Sequence, residues 1–502
     1  MHILPERAVR HLLLVAALGM LAVGCVSMRV ESQDWLEARS QHFTFFSDLS
    51  PEETRALSLD LELFRAAMAH FTNARQLDPP IPIEIYVFRR HQDFVRITGR
   101  DRSTGFFRGT PRRLVLVVDS AKAWSPRKTL FHEYVHFLMR NARNVPIPRW
   151  YDEGFADFLS TAERREDALV VGGIPRGRGQ WLMHRGRLPV SAILEPAPFA
   201  EYSDDEIGRF YAGAWLLVHF LVSQYQDPEG LPFGERMNRY LEAYQAGTPS
   251  GEAFEGAWGL SLDQLEEMID EPIQSGFRKA VLSLDSIRFE EDVVVRAMDH
   301  REIAWRLGEL ALSSRRPAVA RSLLEVARST GPEEARVLAA LGRAAAAEGR
   351  PEEAAALLDR AVELEPRNVP VLLDRARFQL ARLDEAPGSP RRAEALAAAR
   401  RDSRRAFDAQ PDHPEVLWIH ALSNLNSGPW MAEVLASWVG VLESAWQILP
   451  ADRQISYSLF QVYLELDRRE EAKRIAQRLL LQAHGREEIE GIETQLERAA
   501  GE

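Results

Sequence analysis

Between residues 301 and 368 the chain repeats itself every 34 residues. Gly308 and Gly342, Ala320 and Ala354, Leu324 and Leu358, Ala327 and Ala361, and Pro332 and Pro366 all stand at that spacing. A period of this length constrains the fold more than any other feature. Each unit is too short to bury an apolar face alone and gains a core only by stacking on its neighbour. Ala, Leu, Glu and Arg dominate the segment, so the units are helical. Small residues such as Gly308 and Ala320 belong where two antiparallel helices touch. Leu307 and Leu324 fill between them, and proline ends the second helix. Units 301–334 and 335–368 keep the pattern at nearly every key position. After an insertion around "DEAPGSPRR", Ala399, Ala406 and Pro411 continue the phase, and Leu459, Tyr463 and Ala472 mark a further, degenerate unit.

The pattern resembles the tetratricopeptide repeat. That resemblance implies an all-α solenoid over 301–486 whose groove takes a protein partner or an unfolded client. Residues 42 to about 120 read differently. "HFTFFSD" and "PIEIYVF" are short strands with the amphipathic helix "PEETRALSLDLELFRAAMAHF" between them, and "TGFFRG" and "RRLVLVVDS" flank Thr110-Pro111 as a hairpin. From Ser125 to about 282 the pattern is mostly helical with no continuing strand–helix alternation, which is α+β. A chain of 502 residues has length for two or three such domains, and its net charge of −12 argues against a nucleic-acid partner.

One helix of this middle region carries chemistry. "KTLFHEYVHFLMRN", residues 128–141, follows Ser125-Pro126, a good helix start. His132 and His136 then lie one turn apart on one face, where two imidazoles can grip one ion, with Glu133 offset to reach a water on it. A core helix that happens to contain histidine is the competing reading. Downstream, "PRWYDEGFADFLS" reads as a second helix and offers Glu153. Two His and one Glu form an established zinc set.

Together these phrases resemble the gluzincin metallopeptidases, the clan of thermolysin and aminopeptidase N, with Trp150, Glu153, Gly154 and Ala156 in the second helix. The resemblance implies a thermolysin-like α+β domain over 42–285, with a small N-terminal sheet and a mostly helical second half. It implies Zn2+ on His132, His136 and Glu153, with Glu133 as general base. Asp157, one turn past Glu153, would accept a hydrogen bond from His132, or it is a surface carboxylate. Tyr211 would donate to the oxyanion or simply pack, and Tyr202 competes for that role. Gly154 would let two helices close around the ion, while His184 and His219 read as structural or surface residues. The G-x-M-E-N segment of aminopeptidases is absent between residues 100 and 131, which favours endopeptidase cleavage of a protein or peptide substrate. "LVLVV", residues 114–118, is either the edge strand that pairs an extended substrate or an interior strand. "PRGRGQWLMHRGR" reads as a basic loop, either simply solvated or greeting anionic groups of a substrate.

The start of the chain combines Arg7 and Arg10, the apolar run "LLLVAALGMLAVG" and "AVGC". This resembles a bacterial lipobox, although Ala22 replaces the usual Leu. It implies a signal peptide over 1–24, acylation of Cys25, a tether over 25–41 and a lipid-anchored protein on the periplasmic side of the cell envelope. A plain signal peptide with an incidental cysteine is the alternative. Cys25 is the only cysteine, so disulfides and Cys-ligated metals are excluded. The expected whole is an envelope zinc peptidase whose repeats recruit proteins. The rival is a non-enzymatic assembly factor or chaperone that works through the repeats.

Overall fold

Strand β5 (Leu114–Asp119) is buried at every position, and an unbroken run of that kind belongs in a sheet covered on both faces. The computed structural model describes residues 33–72, 81–122, 125–142, 147–285, 287–383, 389–426, 432–450, 452–481 and 490–496. Strands β4 (Gly105–Gly109), β5, β3 (Ile83–Phe88), β2 (Phe43–Ser47), β1 (Leu36–Arg39) and β9 (Val294–Ala297) lie side by side in that order. The central three are parallel, and β4, β1 and β9 pair antiparallel with their neighbours. Phe45, Ile85, Leu116 and Val118 share a core with α1 (Pro51–Thr72) and α3 (Pro126–Ala142), where Phe64 stacks on Phe131 at 4.1 Å. The alternate residues Phe46, Tyr86, Val115 and Val117 share a second core. Its other walls are α2 (His91–Thr98), α12 (His300–Ser313), α13 (Pro317–Ser329) and α14 (Ala335–Ala347). The two-residue period of the strands therefore feeds two cores at once.

This sheet corrects the expected boundaries. Residues 35–41 are not tether: Trp35 and Ala38 are buried, and β1 is paired on both sides. The first unit does not close at 285 either, because β9 completes the sheet. "LVLVV" is interior, and the edge strand beside it is β4. The signal, Cys25 and the first part of the tether lie outside the described residues.

The helical half comprises α4 (Arg149–Ser160), α5 (Arg176–Arg185), α6 (Val190–Leu194), α7 (Asp204–Ser223), α8 (Phe233–Gln245), α9 (Ser250–Trp258), α10 (Leu262–Met268) and α11 (Glu271–Ser275). "PRGRGQWLMHRGR" is thus helix, not loop, its signal masked by Gly177 and Gly179. A small sheet of β6 (Glu163–Arg165), β7 (Ala168–Val171) and β8 (Ala280–Ser283) also interrupts this half. Its first strand is wholly exposed and polar, so no alternation announces it.

Among the described residues the repeats form five helix pairs. They are α12 with α13, α14 with α15 (Pro351–Leu364), α16 (Val369–Leu380) with α17 (Pro390–Ala409), α18 (Pro414–Leu425) with α19 (Ala432–Ile448), and α20 (Arg453–Glu465) with α21 (Arg469–Leu481). A Cβ on Gly308 would stand 2.7 Å from Leu324 Cγ, and one on Gly342 would stand 2.8 Å from Leu358 Cγ. The 34-residue period is this one contact made twice.

Candidate metal centre

Ser125 precedes the first residue of α3, and its hydroxyl accepts from the Lys128 amide at 3.4 Å. Leu130, Phe131, Tyr134, Val135 and Phe137 are buried in the core beneath the sheet, and α4 packs alongside. On α4, Trp150 is buried and donates its indole N–H to Tyr240 at 2.9 Å. A Cβ at Gly154 would meet the Ala214 carbonyl oxygen at 2.3 Å. The expected role of that glycine is therefore corrected. It admits α7, behind α4, and so seats the helix that presents Glu153 to α3.

His132, His136 and Glu153 bring their ligand atoms within 4.8 Å of one another. The two Nε2 atoms are 3.1 Å apart, and each is 3.6 Å from Glu153 Oε2. The outer nitrogens are held by carboxylates. His132 Nδ1 lies 3.1 Å from Asp157 Oδ1, and His136 Nδ1 lies 2.9 Å from Asp152 Oδ1. An ionised carboxylate only accepts, so each Nδ1 donates and each Nε2 is left facing the centre. Behind them, Arg140 Nη2 reaches Asp152 Oδ2 at 2.6 Å and Arg178 Nε reaches Asp157 Oδ2 at 2.5 Å. Glu133 stays outside the triangle, and its Oε2 accepts from the Phe107 amide of β4 at 3.0 Å.

The titrations follow from this crowding. Burial works against charge on His132, but Asp157 and Glu153 outweigh it and lift the imidazole to about 10. His136, against the same burial, is lifted to about 9 by Asp152 and Glu153. Asp152 resists burial through Arg140 and His136 and falls to about 2. Glu153 is likewise buried, yet the two histidines hold it well below the usual carboxylate range.

A divalent cation fits these residues on two counts. Two imidazolium rings cannot share a 3.1 Å Nε2–Nε2 approach, because each would point a proton at the other. With neutral imidazoles, the hydrogen-bonded cations among the described residues are the guanidiniums of Arg140 and Arg178, set against the four carboxylates of Glu133, Asp152, Glu153 and Asp157. Two negative charges are left over. Two His nitrogens and one carboxylate oxygen are a zinc donor set.

Tyr211, on α7, is drawn into this neighbourhood. The Arg178 guanidinium lies 4.7 Å over its ring, and burial followed by the charge of Glu153 raises its hydroxyl above the usual tyrosine range. Tyr202 is not drawn in: it stacks on Phe199, and its hydroxyl accepts from the Ala197 amide at 3.2 Å. His219 is buried with Nε2 3.1 Å from the Gly172 carbonyl, and His184 is exposed. Sequence reasoning passes over Asp152, Arg140 and Arg178. Arg140 alone left a signal, four residues after His136 and so on its face.

Tetratricopeptide-repeat family models match residues 335–378 and 439–496. The C-terminal array is made of tetratricopeptide repeats. Among solved structures, a thermophilic tetratricopeptide protein of Thermus thermophilus is similar at 19% identity and TM-score 0.33, over 40% of this chain and 100% of its own. The pilF protein of Pseudomonas aeruginosa is similar at 16% and 0.30, over 40% and 87%. MamA of Desulfovibrio magneticus follows at 14% and 0.26, over 40% and 97%. No curated relative matches the chain. The family matches fall within the repeats, and a protein-binding role for that part follows from them.

Proposed function

We propose that the chain is a zinc-dependent endopeptidase with a thermolysin-like site, joined to repeats that bind proteins. The observation that carries the hydrolytic part is the convergence of His132, His136 and Glu153, each imidazole tied to an aspartate, with Glu133 beside the triangle but not in it. A Zn2+ ion on those three residues would supply Lewis acidity toward a scissile carbonyl and lower the pKa of a water. Glu133 takes the proton of the attacking water and passes it to the leaving amine. Asp157 and Asp152 fix the imidazoles, and Arg178 and Arg140 keep those aspartates ionised. Tyr211, held protonated, donates to the oxyanion. An extended substrate would add to the open edge of β4, the strand whose Phe107 amide already meets Glu133. Acylation at Cys25 would place this body on an envelope membrane, which membrane fractionation of wild type against Cys25→Ser tests.

Glu133→Gln tests the hydrolytic reading. It keeps size, helix propensity and the three ligands, so zinc content and melting should match wild type. Cleavage of an unfolded test protein should fall by about 10²- to 10⁴-fold, the usual contribution of a positioned base. Cleavage at the wild-type rate would end the proposal. A second reading has one observation in its favour, that both family matches lie in the repeats. The chain would then be an assembly factor or chaperone, and Glu133→Gln would fully complement a deletion strain.

A further inference from the structure

The first helices of successive repeat pairs, α12, α14, α16 and α18, pack on one another. They carry Glu309, Arg343, Asp374, Arg377 and Glu415, and the three carboxylates are buried. Stacked pairs offer a concave face of this kind to bound segments. Here the chain fills it with itself. The turn between β4 and β5, Thr110–Arg113, brings Arg112 onto three acceptors. Nη1 is 2.6 Å from Asp374 Oδ1, Nε is 3.1 Å from Glu415 Oε2, and Nη2 is 2.8 Å from the Pro370 carbonyl. Arg113 spans the junction, with Nη1 3.4 Å from Glu309 and Nε 3.0 Å from Glu84 on β3. Arg377 holds the other oxygen of Glu415 at 2.6 Å, and Arg343 pairs with both Glu309 and Asp374. Asp374 and Glu415 keep only 3% and 2% of their side-chain surface, and Arg112 keeps 14%. Two carboxylates and a carbonyl set around one planar guanidinium make a site for an arginine tip rather than a general acidic surface.

We propose that this face of the repeats is a receptor for an extended arginine-bearing segment. In this chain residues 110–113 occupy it, and a partner protein reaches it by supplying its own arginine in place of Arg112. The inference rests on the protein-binding reading of the repeats and is independent of hydrolysis. It also ties the repeats to the metal centre, because the displaced hairpin is the one whose Phe107 amide holds Glu133.

A tethered segment acts at an effective concentration on the order of millimolar. A free peptide at about 10 μM is therefore outcompeted roughly 100-fold until the anchor is removed. The probe is a fluorescent peptide of residues 108–115, RGTPRRLV, titrated into the full chain. Arg112→Ala should bind it on the order of 10- to 100-fold more tightly than wild type. The same peptide with alanine at the Arg112 position should not bind. Amide exchange at Phe107 should quicken in Arg112→Ala. Because Arg112→Ala takes one of the two guanidinium partners from each of two buried carboxylates, Arg112→Lys provides a milder test, with a smaller tightening expected. Equal affinity across wild type and both variants, no binding to any of them, or equal binding of the alanine peptide would overturn the proposal.

Discussion

Replacing Gly154 by alanine tests how α4 is seated. The new Cβ would stand 2.3 Å from the Ala214 oxygen, 2.7 Å from its carbonyl carbon and 2.8 Å from Val218 Cγ2. Two of these atoms are backbone of α7, a helix buried from Ala212 to Leu221, so the obstruction cannot rotate away. An ordinary carbon–oxygen approach of about 3.4 Å requires α4 to withdraw by roughly 1 Å. Overpacking of this kind costs about 1–3 kcal/mol, and backbone against backbone sits at the upper end. At about 2–4 °C per kcal/mol for a domain of this size, melting should drop by roughly 5–10 °C. The same withdrawal carries Asp152 and Glu153 away from α3, so zinc affinity should fall at least about tenfold. Calorimetry of the metal-free chain and competition with a chromophoric chelator read the two effects separately. Gly177→Ala, where nothing stands within 4 Å, is the control and should not lower melting. If Gly154→Ala melts within about 1 °C of wild type and keeps its zinc affinity, α4 is not pinned on α7.

Two further outcomes follow from the same geometry. Asp152→Asn should weaken zinc binding by about 10- to 100-fold, since its one amide oxygen cannot accept from both His136 Nδ1 and Arg140 and its neutral group no longer offsets Arg140; affinity within twofold of wild type would remove Asp152 from the site. The raised imidazoles set the pH behaviour. Because the 3.1 Å Nε2–Nε2 approach admits one proton between the rings, the pair holds that one extra proton in the metal-free chain; its stabilisation is complete below the unfolded value near 6.5 and is lost as pH rises through about 9 to 10. Metal-free melting should therefore decline in that window. Zinc binding at pH 7 should release at least about one proton, read by calorimetry in buffers of different ionisation heat, and should weaken as pH falls.

What could be read from sequence was whatever lies within one element. His132 and His136 are four apart on α3, so their shared face follows from helix geometry alone. Gly308 and Gly342 repeat one helix-to-helix contact, so period reveals packing. Glu153 became legible only through the phrase around it. Asp152 and Arg178 did not, because their partners sit on α3 and α4, and no spacing encodes how neighbouring helices rotate against each other. The same limit hid β9, a four-residue strand whose partner β1 lies more than 250 residues earlier. Helix pair α18–α19 escaped because its first helix, "PEVLWIHALSNL", has no glycine where Gly308 and Gly342 stand.

The second core of the sheet makes the repeats a structural requirement rather than an attachment. Phe46, Tyr86, Val115 and Val117 share it with Ile303, Leu307, Leu310, Leu323 and Leu324. Arg306 reinforces the joint, lying 4.5 Å over the Phe46 ring and 2.9 Å from Glu84. Ending the chain at residue 299 removes this cover. At about 1.5–3 kcal/mol for each large side chain returned to water, four such residues lose about 6–12 kcal/mol. That is as large as the whole stability of a typical domain, about 5–15 kcal/mol. Residues 33–299 alone should therefore aggregate or bind a hydrophobic dye and show no cooperative melting, although every proposed zinc ligand is present. A soluble fragment that melts as one transition near the temperature of the full chain would show that the sheet needs only α2 on that face.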